Sequence, residues 1–166
     1  MNSLVNNLNV CNSLILIADD NAIEQQILTR IIKSEGINTI SCSNGAQVVT
    51  LAKEKLPDLI LMDIMMPHMN GYEACKKLKQ CLQTTDIPVI FLTSKMEIED
   101  KHKGFEAGGV DYVIKPFDRT ELTMRIKTHL KLKKAMDKLS SYNKWLENMI
   151  NTEITSDNLK EFQEIE

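Results

Sequence analysis

The sequence predicts an α/β protein with a parallel sheet between two layers of helices, and three observations support that prediction. From Ser13 onward, apolar runs alternate with segments of helical periodicity five times. The runs are short and continuously rich in Val, Ile and Leu, which is typical of strands buried on both faces of a parallel sheet. Five such units fit into about 120 residues, so a flavodoxin-like three-layer sandwich suits the chain better than a barrel of eight strands.

Four of the apolar runs end in polar residues at their carboxyl ends. These runs cover 13–20, 57–63, 87–94 and 110–116, and a weaker strand is expected over 37–42. The polar residues are Asp19, Asp20, Asp63, Thr93 and Lys115. In open α/β sheets, ligands bind in the crevice at the carboxyl ends of the strands. We therefore expect these five side chains to converge on one site.

Five helices are expected between and after these strands. The first, over 21–35, carries an apolar stripe that we expect to be buried: Ile23, Ile27, Leu28, Ile31 and Ile32. The second and third are predicted over 46–55 and 71–82, and Leu82 is expected to close the apolar stripe of the third. The fourth begins at the capping box Ser94-x-x-Glu97 and ends near Gly108, and the fifth begins at Asp118.

The fifth helix is predicted to be much longer than the others. No proline or glycine interrupts the chain from Asp118 to Ile150, and about 33 residues of helix span roughly 50 Å. Its second half repeats at the heptad spacing of a coiled coil, with a polar residue in the seam: Leu132, Met136, Leu139, Asn143, Leu146 and Ile150. We expect a parallel, two-stranded homodimer through this helix. The stripe also fits one amphipathic helix that folds back on its own domain.

Length and composition set the domain organisation and the class of protein. The 166 residues suit a disordered segment over 1–12, a domain over 13–135 and a helical extension with a frayed tail over 136–166. There is no apolar run long enough for a membrane span and no secretory signal pattern. The four cysteines lack metal-type spacing, which indicates reduced thiols in a cytoplasmic protein. With a net charge of −3, a nucleic-acid partner is not expected, and the basic run over 125–134 is interpreted as a solvated helix face.

The polar strand ends suit phosphoryl chemistry. The carboxylates of Asp19, Asp20 and Asp63 would repel one another unless a cation neutralised them, and Mg²⁺ prefers such hard oxygen ligands. A carboxylate beside a bound cation can attack an activated phosphoryl group and form an aspartyl phosphate. Lys115 can place a positive charge on the phosphoryl oxygens, and Thr93 can donate a hydroxyl hydrogen bond to them. The pattern therefore predicts a magnesium-dependent phosphorylation site.

Over roughly residues 13–135 the sequence resembles the receiver domain of two-component response regulators. The shared motifs are Ile-Ala-Asp19-Asp20-Asn, Leu-Met-Asp63-Ile-Met-Met-Pro67-His-Met-Asn-Gly71, Phe-Leu-Thr93-Ser94 and Tyr-Val-Ile-Lys115-Pro116-Phe117. The spacing also matches that family, with 30 residues from Asp63 to Thr93 and 22 from Thr93 to Lys115. The resemblance implies the strand order 2-1-3-4-5 and a cis peptide bond before Pro116.

The resemblance also implies roles for individual residues. Asp63 would accept a phosphoryl group from a sensor histidine kinase or a phosphotransfer protein. Asp20, Asp63 and the backbone carbonyl of Met65 would bind Mg²⁺, and Asp19 would act mostly through water. Thr93 and Tyr112 would form a switch, in which the phosphoryl group draws the Thr93 hydroxyl inward and Tyr112 changes rotamer.

Several functional alternatives stay open at the level of sequence. A Mg²⁺-dependent phosphohydrolase belongs to another class, but enzymes of that kind carry the nucleophile on the first strand in an Asp-x-Asp context. A scaffold without phosphorylation is disfavoured because every reactive group is present. The long last helix also resembles the linkers that join receivers to nucleotide-cyclase (GGDEF), HD-type phosphodiesterase or histidine-kinase domains, so the chain fits a fragment of such a regulator.

Overall fold

The computed structural model describes residues 10–94 and 101–163. The strands in this part of the chain are β1 (Leu14–Ala18), β2 (Asn38–Cys42), β3 (Leu59–Asp63), β4 (Val89–Thr93) and β5 (Asp111–Ile114). The helices there are α1 (Ala22–Ser34), α2 (Gly45–Lys55), α3 (Gly71–Lys79), α4 (Lys101–Glu106) and α5 (Arg119–Gln163). All strand pairs are parallel and the order is β2-β1-β3-β4-β5, which confirms the predicted fold.

Alternate residues of the strands face opposite sides of the sheet and build two apolar clusters. On one side, Leu16 and Phe91 pack with buried residues of α2 and α3. On the other side, Ile17 and Leu92 pack with buried residues of α1 and of the first part of α5. Burial on both faces explains why the strands read as continuous apolar runs in the sequence.

Two predicted apolar stripes are only partly buried. In α1, Leu28 and Ile32 are buried as predicted, but the prediction is wrong for Ile23 and Ile27, which are 69% and 45% exposed. They lie at the flank of the stripe, where helical periodicity alone does not show how far the sheet reaches. Helix α3 ends at Lys79, so Leu82 lies beyond it in a turn and is 94% exposed instead of buried.

The ends of the elements show further differences from the sequence-based boundaries. Val10, placed in the segment predicted to be disordered, packs against the cluster that contains Ile17. Helix α5 continues to Gln163, past the predicted end at Ile150. The Lys115–Pro116 bond is cis, as the resemblance implies. The predicted capping box at Ser94-x-x-Glu97 reaches into 95–100, which lie outside the described residues.

Helix α5 contributes to both of the compact units into which the chain divides, Met1–Lys133 and Lys134–Glu166. The predicted boundaries at residues 12 and 135 stay a prediction. In the second unit, the rings of Tyr142 and Trp145 stack with 5.7 Å between their centroids. No helix in the described ranges is both long enough and apolar enough to cross a membrane.

Asp111 ties β5 to α5 within the first unit. Its carboxylate accepts hydrogen bonds from Arg125 at 2.7 and 2.9 Å and from the backbone N–H of Tyr112 at 2.8 Å. His129 Nε2 lies 3.1 Å from the same carboxylate. Burial opposes the charged form of Asp111, but the Arg125, Tyr112 and His129 hydrogen bonds outweigh it and lower its pKa. The ionised form is therefore the one that stabilises the fold.

Replacing Asp111 by asparagine is expected to lower the free energy of unfolding at pH 7 by about 1 kcal/mol, since the charged pairs are partly exposed. Because the pKa of Asp111 is lowered in the folded state, its contribution exists above the unfolded pKa and disappears as the pH falls below about 4. The difference in free energy of unfolding between wild type and Asp111→Asn, measured with urea, should therefore be smaller at acid pH than at pH 7.

Glu121→Gln is the matched control. Glu121 also pairs with Arg125, at 2.9 Å, but it lies on the exposed face of α5. We expect a change of only a few tenths of a kcal/mol for this variant. A wild-type advantage over Asp111→Asn that is equally large at both pH values would contradict an electrostatic role for Asp111.

Candidate functional site

The three aspartates predicted to bind a cation lie together at the carboxyl edge of the sheet. Asp19 and Asp20 follow β1 directly, and Asp63 is the last residue of β3. Ala18 pairs in register with Met62, so both strands end at the same level. One carboxylate oxygen from each aspartate lies within 4.8 Å of the others. Asp19 and Asp63 are buried, whereas Asp20 is exposed to solvent.

Lys115 neutralises part of this negative charge. It follows β5, and its Nζ lies 2.9 Å from Asp19 Oδ2, 3.2 Å from Asp63 Oδ2 and 2.6 Å from Glu24 Oε2. Burial opposes the charged form of the lysine, but its hydrogen bonds to Glu24 and Asp19 and the charge of Asp63 outweigh that effect and raise its pKa. The ammonium group therefore stays charged across the physiological range of pH.

Asp63 is the aspartate whose ionisation is most disfavoured by its surroundings. Burial, and to a smaller extent the charge of Asp19, raise the pKa of Asp63 to about 6, although Lys115 and the backbone N–H of Met65 act in the opposite direction. The pKa of Asp63 is raised in spite of Lys115 because burial outweighs the attraction of that lysine, whose Nζ is shared among three carboxylates and lies farthest from Asp63. A cation bound here would favour the ionised form of Asp63.

Thr93 and Met65 lie beside Asp63. Thr93 ends β4 and is buried, and its backbone carbonyl accepts a 2.8 Å hydrogen bond from the N–H of Lys115. The Thr93 hydroxyl donates to the carbonyl of Ser94 at 3.1 Å. Met65 is two residues past Asp63, and its backbone N–H donates to the Asp63 carboxylate. Its side chain is 65% exposed.

Tyr112 lies away from the carboxylates, in the middle of a row of aromatic rings. It pairs in register with Phe91, two positions before Thr93, which is about 7 Å along the strand. Its ring centroid lies 5.6 Å from that of Phe91 and 5.2 Å from that of Phe105. The hydroxyl occupies the space that a β-carbon on Gly104 of α4 would fill. Tyr112 therefore connects β4, β5 and α4.

The roles of two residues at the site are not predicted by the sequence reasoning. Glu24 lies in the first turn of α1 and makes the shortest of the Lys115 contacts, at 2.6 Å. In the sequence it carries only the signal of a first-turn acid, which is common at helix starts. Gly71 begins α3 against the backbone of Asp63, where a β-carbon would lie 2.3 Å from the Asp63 carbonyl oxygen.

The carboxylate cluster has the chemistry of a hard-cation site. Its donors are oxygen atoms only, and Asp20 is open to solvent, so a bound cation can keep water and phosphoryl oxygens in its shell. Neighbouring carboxylates of this kind are stabilised when a cation reduces their repulsion. The Asp19, Asp20 and Asp63 cluster can therefore hold a metal ion.

Comparison with known proteins gives two kinds of relative. The chain is 37% identical over 117 residues to the DNA-binding response regulator MtrA of Mycolicibacterium paratuberculosis, covering 70% of this chain and 51% of the relative. MtrA of Mycobacterium tuberculosis is also 37% identical, with 70% and 50% covered. The chain thus spans about half the length of the curated relatives it matches. Because those relatives are named as DNA-binding, the expectation of no nucleic-acid partner is not borne out.

Solved structures show the same fold. The receiver domain of a Francisella response regulator superposes with a TM-score of 0.66 at 32% identity, covering 72% of this chain and 98% of that one. The receiver domain of a sensor histidine kinase of Pseudomonas aeruginosa gives a TM-score of 0.68 at 29% identity, again with 72% and 98% covered. That second structure has a magnesium ion coordinated in its active-site cleft. The profile of the response regulator receiver domain matches residues 15–127, and the chain belongs to this family of signalling domains.

Proposed function

We propose that the protein accepts a phosphoryl group on Asp63 in a Mg²⁺-dependent reaction. The observation that supports this most strongly is the position of Asp63, a buried carboxylate between a lysine ammonium at 3.2 Å and two further aspartates. Phosphoryl transfer needs positioning and charge neutralisation more than additional covalent chemistry. The donor would be the phosphohistidine of a sensor histidine kinase or a phosphotransfer protein. The cysteines form no disulfide bond within the described residues, which fits a cytoplasmic location.

In the proposed reaction, an oxygen of Asp63 attacks phosphorus in line with the P–N bond of the donor. That bond breaks, its electron pair stays on the imidazole nitrogen, and the imidazole takes up a proton. Asp20, Asp63 and the carbonyl of Met65 would hold Mg²⁺, with Asp19 acting mostly through water; the ion would neutralise charge on the carboxylates and phosphoryl oxygens. Lys115 would pair with a phosphoryl oxygen, and the Thr93 hydroxyl would donate to another.

The consequence of phosphorylation is proposed to be a change of interaction surface. A hydroxyl drawn toward the phosphoryl group vacates space on β4, and Tyr112 can then leave its contact with Gly104 and repack against α4 and α5. Self-association through α5 and its extension is the proposed output.

The first test is to incubate the protein with acetyl phosphate and Mg²⁺ and to measure the mass of the intact protein by mass spectrometry. Addition of one phosphoryl group supports the proposal, and an unchanged mass contradicts it.

Replacing Asp20 by alanine is expected to weaken Mg²⁺ binding by at least tenfold, because one of the oxygen ligands is lost while the acceptor remains. Isothermal titration of Mg²⁺ measures the affinity, and the rate of labelling by acetyl phosphate measures the reaction. Labelling should become slower but should still reach one phosphoryl group at high Mg²⁺.

Glu24→Gln is the matched control for Asp20→Ala. Glu24 also carries a charge near Lys115, but we do not place it among the proposed metal ligands. We expect less than a threefold change of Mg²⁺ affinity, in line with the small energies of partly exposed ion pairs. Equal losses in the two variants would mean that Asp20 acts only through the net charge of the site.

A further inference from the structure

The middle part of α5 exposes an apolar stripe. The stripe runs along the predicted seam, and its apolar members are between 37% and 61% exposed: Leu132, Met136, Leu139, Leu146 and Ile150. They lie on one uninterrupted helix, Arg119–Gln163. A contiguous apolar surface of this kind indicates an interaction site. The orientation of its partner can be inferred from the charges and side chains that flank it.

Charge is divided unequally between the two halves of this helix and its tail. Residues 127–144 contain six lysines and one aspartate, whereas residues 145–166 contain six acidic residues and one lysine. A parallel, in-register pair would bring the two basic halves together and the two acidic halves together. An antiparallel pair places the basic half of each helix beside the acidic half of the other. Charge complementarity therefore favours a second copy of this chain in antiparallel orientation.

The residues that flank the seam agree with this orientation. In a parallel pair, the residue just before Met136, Asn143 or Ile150 faces the residue five places later on the other helix. This brings together Ala135 with Ser140 and Tyr142 with Glu147, and neither pair is attractive in charge. In an antiparallel pair, each flank of the seam on one helix faces the same flank on the other helix. Lys133 then faces Glu147 of the second copy, and Ser140 faces Ser140.

The other flank and the seam also match in size. Antiparallel pairing places Ala135 opposite Met149 at each end of the pair, so that a small residue meets a large one. Between these contacts, Tyr142 lies opposite Tyr142 of the second copy. In the seam, Leu132 lies opposite Ile150, Met136 opposite Leu146, and Leu139 opposite Asn143. Asn143 favours a parallel pair, in which the two asparagines meet. That preference rests on one layer, whereas the residues that flank the seam gain charge attraction only in the antiparallel pair.

We propose that α5 binds a second copy of this chain as an antiparallel helix pair centred on Ser141. This deepens the proposed self-association and is independent of the role of Asp63. It differs from the parallel arrangement expected from the heptad spacing with Asn143 at the seam. The stripe supplies the contact area, and the Lys133–Glu147 contacts, which occur twice in the pair, select the orientation.

Disulfide trapping of the full chain measures the orientation directly. Cys11 and Cys81 are first replaced by serine, and Lys133→Cys and Glu147→Cys are introduced in separate chains. We expect a mixed disulfide between these two variants on oxidation, because their side chains face each other in an antiparallel pair. In a parallel pair they would be 14 positions apart, which is about 21 Å along the helix. A Leu132→Cys chain tests the opposite arrangement, since only a parallel pair brings its two copies together.

Charge reversal gives a second, thermodynamic test. Lys133→Glu and Glu147→Lys are each expected to weaken the dimer by about tenfold, since each turns two attractive contacts into repulsive ones. The double variant restores the attraction and should return to within about threefold of wild type. Sedimentation equilibrium, with and without beryllofluoride and Mg²⁺ as a phosphoryl mimic, measures the dissociation constants.

Lys134→Glu is the control for charge reversal. It makes the same change of charge one residue away, at the heptad position farthest from the seam, and should weaken the dimer by less than about threefold. Efficient Leu132→Cys cross-linking without the mixed disulfide would overturn the antiparallel orientation and leave self-association intact. A chain that stays monomeric with and without the mimic would overturn both, while labelling of Asp63 would be unaffected.

Discussion

Replacing Asp63 by asparagine is expected to abolish stable phosphorylation, because the amide keeps the shape of the side chain but removes the nucleophilic carboxylate. Intact-mass analysis after treatment with acetyl phosphate and Mg²⁺ should show no added phosphoryl group. The variant should also be at least as stable as wild type at pH 7 without metal. Burial raises the pKa of Asp63 to about 6, so ionisation of this carboxyl group opposes folding above that pH.

The stability difference gives the prediction a second readout. A carboxyl group with a raised pKa binds a proton more tightly in the folded state, so its cost develops as the pH rises from about 4 to above 6. The advantage of Asp63→Asn should therefore vanish at pH values where the carboxyl group is protonated in both states. Asp58→Asn is the control, since Asp58 precedes β3 and binds the N–H of Leu14 at the other end of the strands. Stoichiometric labelling of Asp63→Asn would refute the assignment.

Replacing Gly71 by alanine is expected to destabilise the fold by about 1–3 kcal/mol and to slow phosphorylation as well. A β-carbon at this position would lie 2.3 Å from the Asp63 carbonyl oxygen and 3.1 Å from the Ile64 α-carbon. Both are backbone atoms, so the crowding cannot be relieved by a side-chain rotation. Either α3 or the end of β3 must shift, and Asp63 moves with the strand. Chemical unfolding and the initial rate of labelling measure the two effects.

Asn70→Ala separates the effect on the acceptor from the effect on the helix. Asn70 caps α3 through the N–H of Glu73 at 2.9 Å, and loss of the cap costs about 1 kcal/mol. This variant weakens the same helix start without placing atoms against Asp63. We expect its labelling rate to match wild type at a temperature where both are folded. If Asn70→Ala slows labelling as much as Gly71→Ala, the close approach of Gly71 is not what positions the acceptor.

The position of the site could be predicted from the sequence because it depends on topology. Once the apolar runs are taken as parallel strands, their carboxyl ends must share one edge of the sheet, and Asp19, Asp63 and Lys115 meet there. Distance along the chain is irrelevant to that argument. The contact of Lys115 with Asp19 joins residues 96 positions apart and still follows from the fold alone.

What could not be predicted depends on local geometry that periodicity does not describe. Ile23 and Ile27 repeat at helical spacing, but the sheet under α1 does not reach far enough to cover either of them. Glu24 looks like an ordinary first-turn acid that stabilises a helix start, and only the reach of Lys115 makes it part of the site. The tight approach of Gly71 to Asp63 is set by the packing of two backbones, which leaves no mark in the side-chain pattern.

The stacking of Tyr142 on Trp145 gives the protein a local optical signal. Trp145 is the only tryptophan in the chain, and it lies in the unit Lys134–Glu166. Indole emission therefore reports on the second half of α5. Dilution of a helix pair should change the emission spectrum without changing the far-ultraviolet dichroism of the sheet. Assembly and folding can thus be followed in one unlabelled sample.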